Sequence, residues 1–340
     1  MVINLDFSKI SIKESIKKLE ESSNGWTDSF LSFLKEYNSS NTLEVLSSGT
    51  TGNRKSFKVS KEQMILSAEA TIKFFNLKKE DKVLLNLSCN FIAGKMMMVR
   101  AIVGQLNLIL SAPSSDPSEF ITSQFDFVPL IPMQVKSLIQ SGKLNLISKL
   151  LIGGGKVEKE LIEALKDFKG KAFESFAMTE TLTHFALRKL NPYEGWFTTI
   201  DGFKVDRNNN NELIILENNI TRRKIETRDL IDLKSQNQFN WLGRSDNLIN
   251  SGGIKIIPEI IETNILKHIC CPFVIVGIPD DKLGQKVVLV TENSQYFDLN
   301  KLNSSLEKYR GIKEQFLLDS FPRTESGKIK RNEIVKIISA

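Results

Sequence analysis

The sequence predicts an α/β protein: a large layered N-terminal domain built on a largely parallel sheet, then a small α+β domain. Two observations carry this. From Lys82 to Phe176 short apolar runs alternate with helical stretches, the pattern of repeated strand–helix–strand units. After about Leu242 the pattern shifts to a hairpin-like stretch, one strong helix and two apolar strands. The length of 340 residues agrees, since it exceeds that of a usual single domain.

The elements follow in order. Before Ser47 the chain reads as one or two amphipathic helices, with Trp26, Phe30 and Phe33 at the i, i+4, i+7 spacing of one buried face. KVLLNL, from Lys82, is a buried strand, and Ala93 to Gln105 a helix. FDFVPLI is a strand, after which Pro132 opens the helix PMQVKSLIQ. SKLLIGGG is a strand running into a glycine turn, EKELIEALKDF a helix and KAFESF a strand. LTHFALRKL reads as a further helix. Asn208 to Asn211 lie between two alternating runs and form a hairpin tip. Beyond Leu242 come the helix PEIIETNILKHI, the strands FVIVGIP and KVVLVTE, the helix NKLNSSLEKY and a basic tail.

Composition removes several classes of function. With 46 Lys and Arg against 40 Asp and Glu, the net charge is +6. No aromatic-interleaved basic tract or zinc-finger spacing accompanies it, so nucleic acid is not an expected partner. The mild excess is a solvated surface whose field also suits anionic ligands. Three cysteines, Cys89 and the adjacent Cys270 and Cys271, make neither a disulfide framework nor a zinc pattern. Two histidines leave little room for a His-rich metal site or a Ser-His-Asp triad. The N-terminus has no signal-peptide core, and the longest apolar region is interrupted by Lys95 and Arg100. The expectation is a cytoplasmic chain without stable membrane insertion.

The first chemical signal is SSGTTGNRK, Ser47 to Lys55. Glycines let backbone amides curl toward an anion, and the hydroxyls add donors. A polyphosphate is the natural guest. The string is not a G-x-x-x-x-G-K-[ST] loop, because Arg54 stands where the second glycine belongs.

SSGTTGNRK resembles the ATP-phosphate loop of the acyl-adenylate-forming superfamily. Four further motifs follow in that family's order: ESFAMTET from Glu174, ETRDL from Glu226, GRSDNLINSGGIKIIPEIIE from Gly243 and PRTESGKIKR from Pro322. The resemblance implies ATP and Mg²⁺ as cofactors, CoA as cosubstrate and a small carboxylic acid as substrate. The acid would be joined to AMP with loss of pyrophosphate, then passed to the CoA thiol. Other acyl-CoA synthetases, enzymes that hand the acyl group to a carrier protein and non-catalytic relatives remain the alternatives.

By the same resemblance Ser47, Ser48, Gly49, Thr50, Thr51 and Gly52 hold the β- and γ-phosphates, with Lys55 assisting. Thr179 meets the α-phosphate and Glu180 binds Mg²⁺, a hard cation suited to a carboxylate. Glu180 also reads as a charge at the N-terminus of the helix expected after it. Gly153, Gly154 and Gly155 lie against adenine and the acyl pocket, Phe176 stacks on adenine, and Asp229 and Arg244 take the ribose. Residues 1–243 form the ATP- and acyl-binding domain and 244–340 a small mobile lid. Asp246 is the hinge. Turning about it presents first the catalytic Lys328, then Gly253 beside the pantetheine channel.

ALRKLN after the MTET string, WLGRSDNLINSGGIKI and the compact length most resemble the branch of the family whose acid is ortho-succinylbenzoate, a menaquinone precursor. That acid has a second carboxylate needing a partner. Lys95, Arg100, His184 and Arg188 are the candidates; Lys95 and Arg100 read rather as an exposed helix face, and His184 equally as a packed histidine. On the expected helix His184 would share the face of Glu180. The chain departs from the family pattern at Phe176, Ala177 and Arg228, and at Asn90 and Phe91, where relatives carry a histidine. Only 46 residues precede the phosphate loop, so the family's N-terminal portion is missing or pared down and an oligomer remains open.

Overall fold

The computed structural model describes residues 2–22, 24–46, 56–292, 295–307, 310–324 and 329–339. The phosphate-loop residues Ser47 to Lys55 and the catalytic candidate Lys328 lie outside the described residues.

The chain opens with a strand, β1 (Val2–Asp6), where only helices are expected. It then forms α1 (Ile12–Glu21), α2 (Asp28–Ser39) and the hairpin of β2 (Thr42–Leu46) and β3 (Ser56–Ser60). A Ser11–Glu14 capping box starts α1. Phe30 and Phe33 of α2 are buried as expected, while Trp26 precedes the helix and meets Phe30 edge-on at 5.9 Å.

Helix and strand alternate next: α3 (Lys61–Phe75), β4 (Lys82–Leu85), α4 (Ile92–Val103), β5 (Asn107–Ser111), β6 (Phe125–Leu130), α5 (Pro132–Gln140), β7 (Ile147–Ile152), α6 (Lys159–Ala164) and β8 (Lys171–Ala177). Ser60 and Gln63 cap α3, and Pro132 opens α5. These strands pair in parallel in the order β5-β4-β6-β7-β8.

The rest of the large sheet is antiparallel, which corrects the expectation of a largely parallel one. β1 pairs antiparallel with β5 at one edge. Beyond β8 come β9 (His184–Lys189), β10 (Phe197–Thr199), β11 (Val205–Arg207), β12 (Glu212–Ile215), β13 (Ile225–Ser235) and β14 (Gln238–Arg244), in the order β9-β10-β14-β13-β12-β11. The Asn208 to Asn211 tip joins β11 to β12 as the alternation predicts. The expected helix LTHFALRKL is therefore β9, paired with β8 and β10. Leu182, with φ of 65°, breaks any helical path into it. Helical spacing fails here because both faces of the segment are covered, and a doubly buried strand is apolar without alternation. One core fills the face under α3 and α4, and a second the face under α5 and α6.

A separate five-stranded sheet follows: β15 (Ile249–Ser251), β16 (Ile254–Ile256), β17 (Phe273–Asp280), β18 (Gly284–Glu292) and β19 (Glu314–Leu318). The helices α7 (Pro258–Ile265) and α8 (Leu299–Asn303) pack with one of its faces. The tail forms α9 (Arg331–Ile338), which contributes Ile334 to the other face. Helix α7 also crosses β14 closely. A side chain at Gly243 would meet Ile257 at 2.5 Å and the Glu259 carboxylate at 2.4 Å, so the crossing needs glycine there. No helix among the described residues is long and apolar enough to cross a membrane.

Candidate active site

The C-terminal ends of β7 and β8 open into a cleft of about 680 Å³. Clefts at strand ends of open α/β sheets are the usual ligand positions. Gly154, Gly155, Phe176 and Asp229 all line it, four residues that the sequence motifs single out. β14 supplies Trp241 and α7 supplies Glu259 and Thr263 on the opposite wall. Lys156 donates to the Thr263 hydroxyl at 3.1 Å across the cleft mouth.

Gly153 lets β7 end flush against β8: an added Cβ would lie 2.7 Å from Ser175 Oγ, itself bonded to the Ile152 carbonyl. Gly154 adopts φ of 80°, the left-handed turn that glycine allows. Phe176 stands edge-on to Phe185, Phe197 and Phe239, with ring centroids at 5.5, 5.3 and 5.3 Å. Three rings thus fix its orientation and leave part of it in the cleft. Asp229 accepts from the Trp241 indole at 3.0 Å, and its amide donates to Thr227 Oγ1 at 3.0 Å. Its register partner Arg244 approaches it to 3.6 Å and pairs with Asp246 at 2.7 Å. Arg228, which departs from the family pattern, reaches Glu212 at 3.2 Å and Asp246 at 3.9 Å.

Thr179 and Glu180 form a half-buried turn just past β8. No cation pairs with Glu180 among the described residues, and no group of three or more metal-ligating side chains occurs among them. A single free carboxylate fits Mg²⁺, which keeps several waters and takes its remaining oxygens from phosphates. Because β9 replaces the expected helix, His184 does not share a helical face with Glu180, and Glu180 has no helix dipole from that segment. Gly253 lies in the exposed turn between β15 and β16, outside the cleft lining.

The four cationic candidates have separate environments. Lys95 donates to the Glu44 carbonyl at 2.7 Å, lies 3.9 Å from Glu36 and faces the Phe33 ring. It is committed to the N-terminal elements. Arg188 lines the cleft, pairs with Glu174 and stacks over Phe197 at 4.4 Å. Arg100 is not on an exposed face: it is 2% exposed, donates to Thr183 Oγ1 at 2.5 Å, and its Nε has no partner among the described residues. Burial without a facing acid pulls its pKa down to about 9, so it stays charged at neutral pH. His184 is buried beside it, between Thr183 and Thr71.

Sequence reasoning passed over Glu174, Trp241 and Glu259. Glu174 lies inside the ESFAMTET motif, and its carboxylate also accepts from the Val157 amide at 3.1 Å, which ties β8 to the turn after β7. Glu259 is buried and bonded to Asn247, and its Oε2 has no partner among the described residues. Burial, with Glu262 adding to it, lifts its pKa above the ordinary 4.5, against the pull of Arg331 and Asn247. The folded chain therefore keeps a proton that the unfolded chain releases above pH 4.5. Stability from this group is full below that pH and is lost as pH rises through the folded value. Glu259→Gln should flatten the fall of Tm between pH 5 and 8, on a scale of about 2–4 °C per kcal/mol. Thermal denaturation of both proteins at each pH checks this; parallel curves would refute it.

A mixed sheet with a glycine turn and an aromatic at its strand ends, an acid within β13 and helix α7 on the opposite wall define a layered α/β protein with a built ligand cleft. The chain belongs to the AMP-binding enzyme family, whose model matches residues 17–211. It is 25% identical over 329 residues to a 2-succinylbenzoate–CoA ligase of Staphylococcus epidermidis, covering 85% of this chain and 68% of that one. Against the enzyme of the same description from Listeria monocytogenes it is 24% identical over 348 residues, covering 88% and 71%. An acyl-CoA synthetase (AMP-forming)/AMP-acid ligase II-like protein from Dyadobacter fermentans superposes with a TM-score of 0.67 at 28% identity, covering 99% and 100%. The O-succinylbenzoate coenzyme A synthetase of Bacillus subtilis, solved with ATP and magnesium ion, has the same fold, with a TM-score of 0.75 at 19% identity over 98% and 83%.

Proposed function

We propose that the chain is an ATP-dependent acid–CoA ligase acting on 2-succinylbenzoate. The carrying observation is one cleft that gathers a glycine turn and Phe176 at the ends of β7 and β8 with Asp229 from within β13. The family match and the relatives' activity support the same reading.

In this reading Phe176 presents its exposed face to the base, and the Asp229 carboxylate, oriented by Trp241, accepts from ribose hydroxyls. Arg244 supports Asp229. Ser47 to Gly52 and Lys55 cradle the β- and γ-phosphates with amide and hydroxyl donors. The Thr179 hydroxyl donates to the α-phosphate as the acid's carboxylate attacks it and pyrophosphate departs. Glu180 holds Mg²⁺, which supplies charge neutralisation for the phosphates. Lys328 meets the negative charge that develops between carboxylate and α-phosphate. Residues 1–243 and 244–340 act as two units hinged at Asp246, so that Gly253 and its neighbours serve the second step, attack by the CoA thiol.

Arg100 receives the acid's second carboxylate. A buried guanidinium with no acid partner among the described residues carries an unmet demand for an anion. Lys95 and Arg188 already have their carbonyl or carboxylate.

Mass spectrometry of the purified protein with ATP, Mg²⁺, CoA and a panel of acids tests the proposal. Succinylbenzoyl-CoA should form in preference to other thioesters. A different acyl-CoA would discard the acid, a stalled acyl-AMP would indicate a carrier-protein acceptor, and no product would remove the catalytic reading.

A further inference from the structure

We infer that His184 is a positioning residue for Arg100, acting through the Thr183 hydroxyl. The inference rests on the reading that Arg100 receives the acid's second carboxylate. Four buried side chains from α3, α4 and the start of β9 form a line. Arg100 Nη2 lies 2.5 Å from Thr183 Oγ1, which lies 3.2 Å from His184 Nδ1. His184 Nε2 lies 3.2 Å from Thr71 Oγ1, which lies 3.2 Å from the Ser67 carbonyl oxygen.

The two ends fix the direction of the chain. A guanidinium only donates and a backbone carbonyl only accepts. Thr183 accepts from Arg100 and donates its one proton to Nδ1. Thr71 donates to Ser67 and accepts from the Nε2–H. A neutral imidazole protonated on Nε2 therefore makes all four bonds. The other tautomer makes three: it sets two donors on Thr183 Oγ1, leaves that hydroxyl's proton without an acceptor and draws the Thr71 proton away from Ser67. An imidazolium would add a second buried cation beside Arg100, the one charge among the described residues that acts on the ring. Burial and that charge together hold the His184 pKa well below its ordinary value. Phe75 packs edge-on to the ring, with centroids 6.5 Å apart.

The consequence is mechanical. A threonine hydroxyl rotates freely unless its proton has a fixed acceptor. Nδ1 is that acceptor, so the Thr183 lone pairs stay turned toward Arg100. One edge of the guanidinium is pinned, and Nε, buried and without a partner among the described residues, is the atom that an incoming carboxylate would have to reach.

The chain has only two histidines, so ¹⁵N-histidine labelling reads His184 directly, with His268→Gln assigning the second signal. We expect a neutral His184 with its proton on Nε2, unchanged from about pH 5.5 to 8.5. A ring that titrates in that window, or that carries its proton on Nδ1, overturns the relay whatever the substrate. With active enzyme, His184→Phe should raise KM for 2-succinylbenzoate about tenfold and leave kcat within about threefold. His184→Asn, whose amide oxygen stands in for Nδ1, should recover most of that loss. An analogue lacking the second carboxylate should show no change. Equal KM shifts for both acids, or a loss in kcat alone, would overturn the positioning role. If the unaltered protein makes no product from any acid, the reading of function fails while the labelled spectrum still decides the relay.

Discussion

Replacing Lys328 by alanine is expected to slow acyl-AMP formation by about 10²–10³-fold, while thioester formation from supplied acyl-AMP stays within a few-fold of the unaltered protein. The first half-reaction brings a carboxylate against a polyphosphate, so its barrier is dominated by repulsion between anions. A point charge on a long stem meets that charge where it develops. The second half-reaction attacks a neutral acyl carbon with a thiol and has less need of it. Both flanks of the segment that carries Lys328 are anchored. Arg323 bridges to Ile329 and pairs with Glu292 at 2.7 Å, and the Lys330 amide donates to the Pro322 carbonyl at 2.8 Å. Arg331 then makes two bonds to the Glu262 carboxylate, at 2.6 and 2.7 Å, and one to the Ile275 carbonyl. The described residues on either side of that segment are thus held to the second sheet and to α7. Pyrophosphate release measures the first step and acyl-CoA appearance from acyl-AMP the second. An equal fall in both would remove the role assigned to Lys328.

Elements with strong local signals were legible in the sequence. Pro132 at the start of α5, the glycine turn after β7 and the Asn208 to Asn211 tip each depend on backbone preferences of a few neighbouring residues. What could not be read locally depends on distant pairing. Val2–Asp6 becomes a strand because β5, a hundred residues on, offers an open edge. β9 becomes a strand because β8 and β10 flank it, although its spacing suits a helix. The site divides in the same way. Phe176 and Asp229, which line the cleft, belong to motifs that are compact strings. Glu259 and Trp241 were missed because they reach the cleft only when α7 crosses β14. From sequence Arg100 also reads as a cation on an exposed face, since nothing in MMMVRAIV tells which side of α4 the core covers.

That burial makes Arg100 the most informative single position for stability and function together. Arg100→Met is expected to move the two in opposite directions. In the folded protein the guanidinium is desolvated, faces no acid among the described residues and leaves Nε unpaired. Its neighbours on α4, Met96, Met97, Met98, Val99 and Ala101, are fully buried. A methionine of similar length completes that apolar surface and removes the desolvation cost, and comparable replacements of buried charge stabilise by about 1–4 kcal/mol. The loss to binding should be larger. Truncating one partner of a buried, hydrogen-bonded charge pair costs about 2–5 kcal/mol, or roughly 30- to 5,000-fold in affinity for the diacid. The analogue without the second carboxylate should bind the variant as well as it binds the original, because it never used the guanidinium. Thermal denaturation without ligand and KM for each acid are the measurements. A variant less stable than the original would mean that the hydrogen bond to Thr183 outweighs the cost of burying the charge. A variant that kept its affinity for the diacid would show that the second carboxylate is held elsewhere, with Arg188 at the cleft wall the next residue to test.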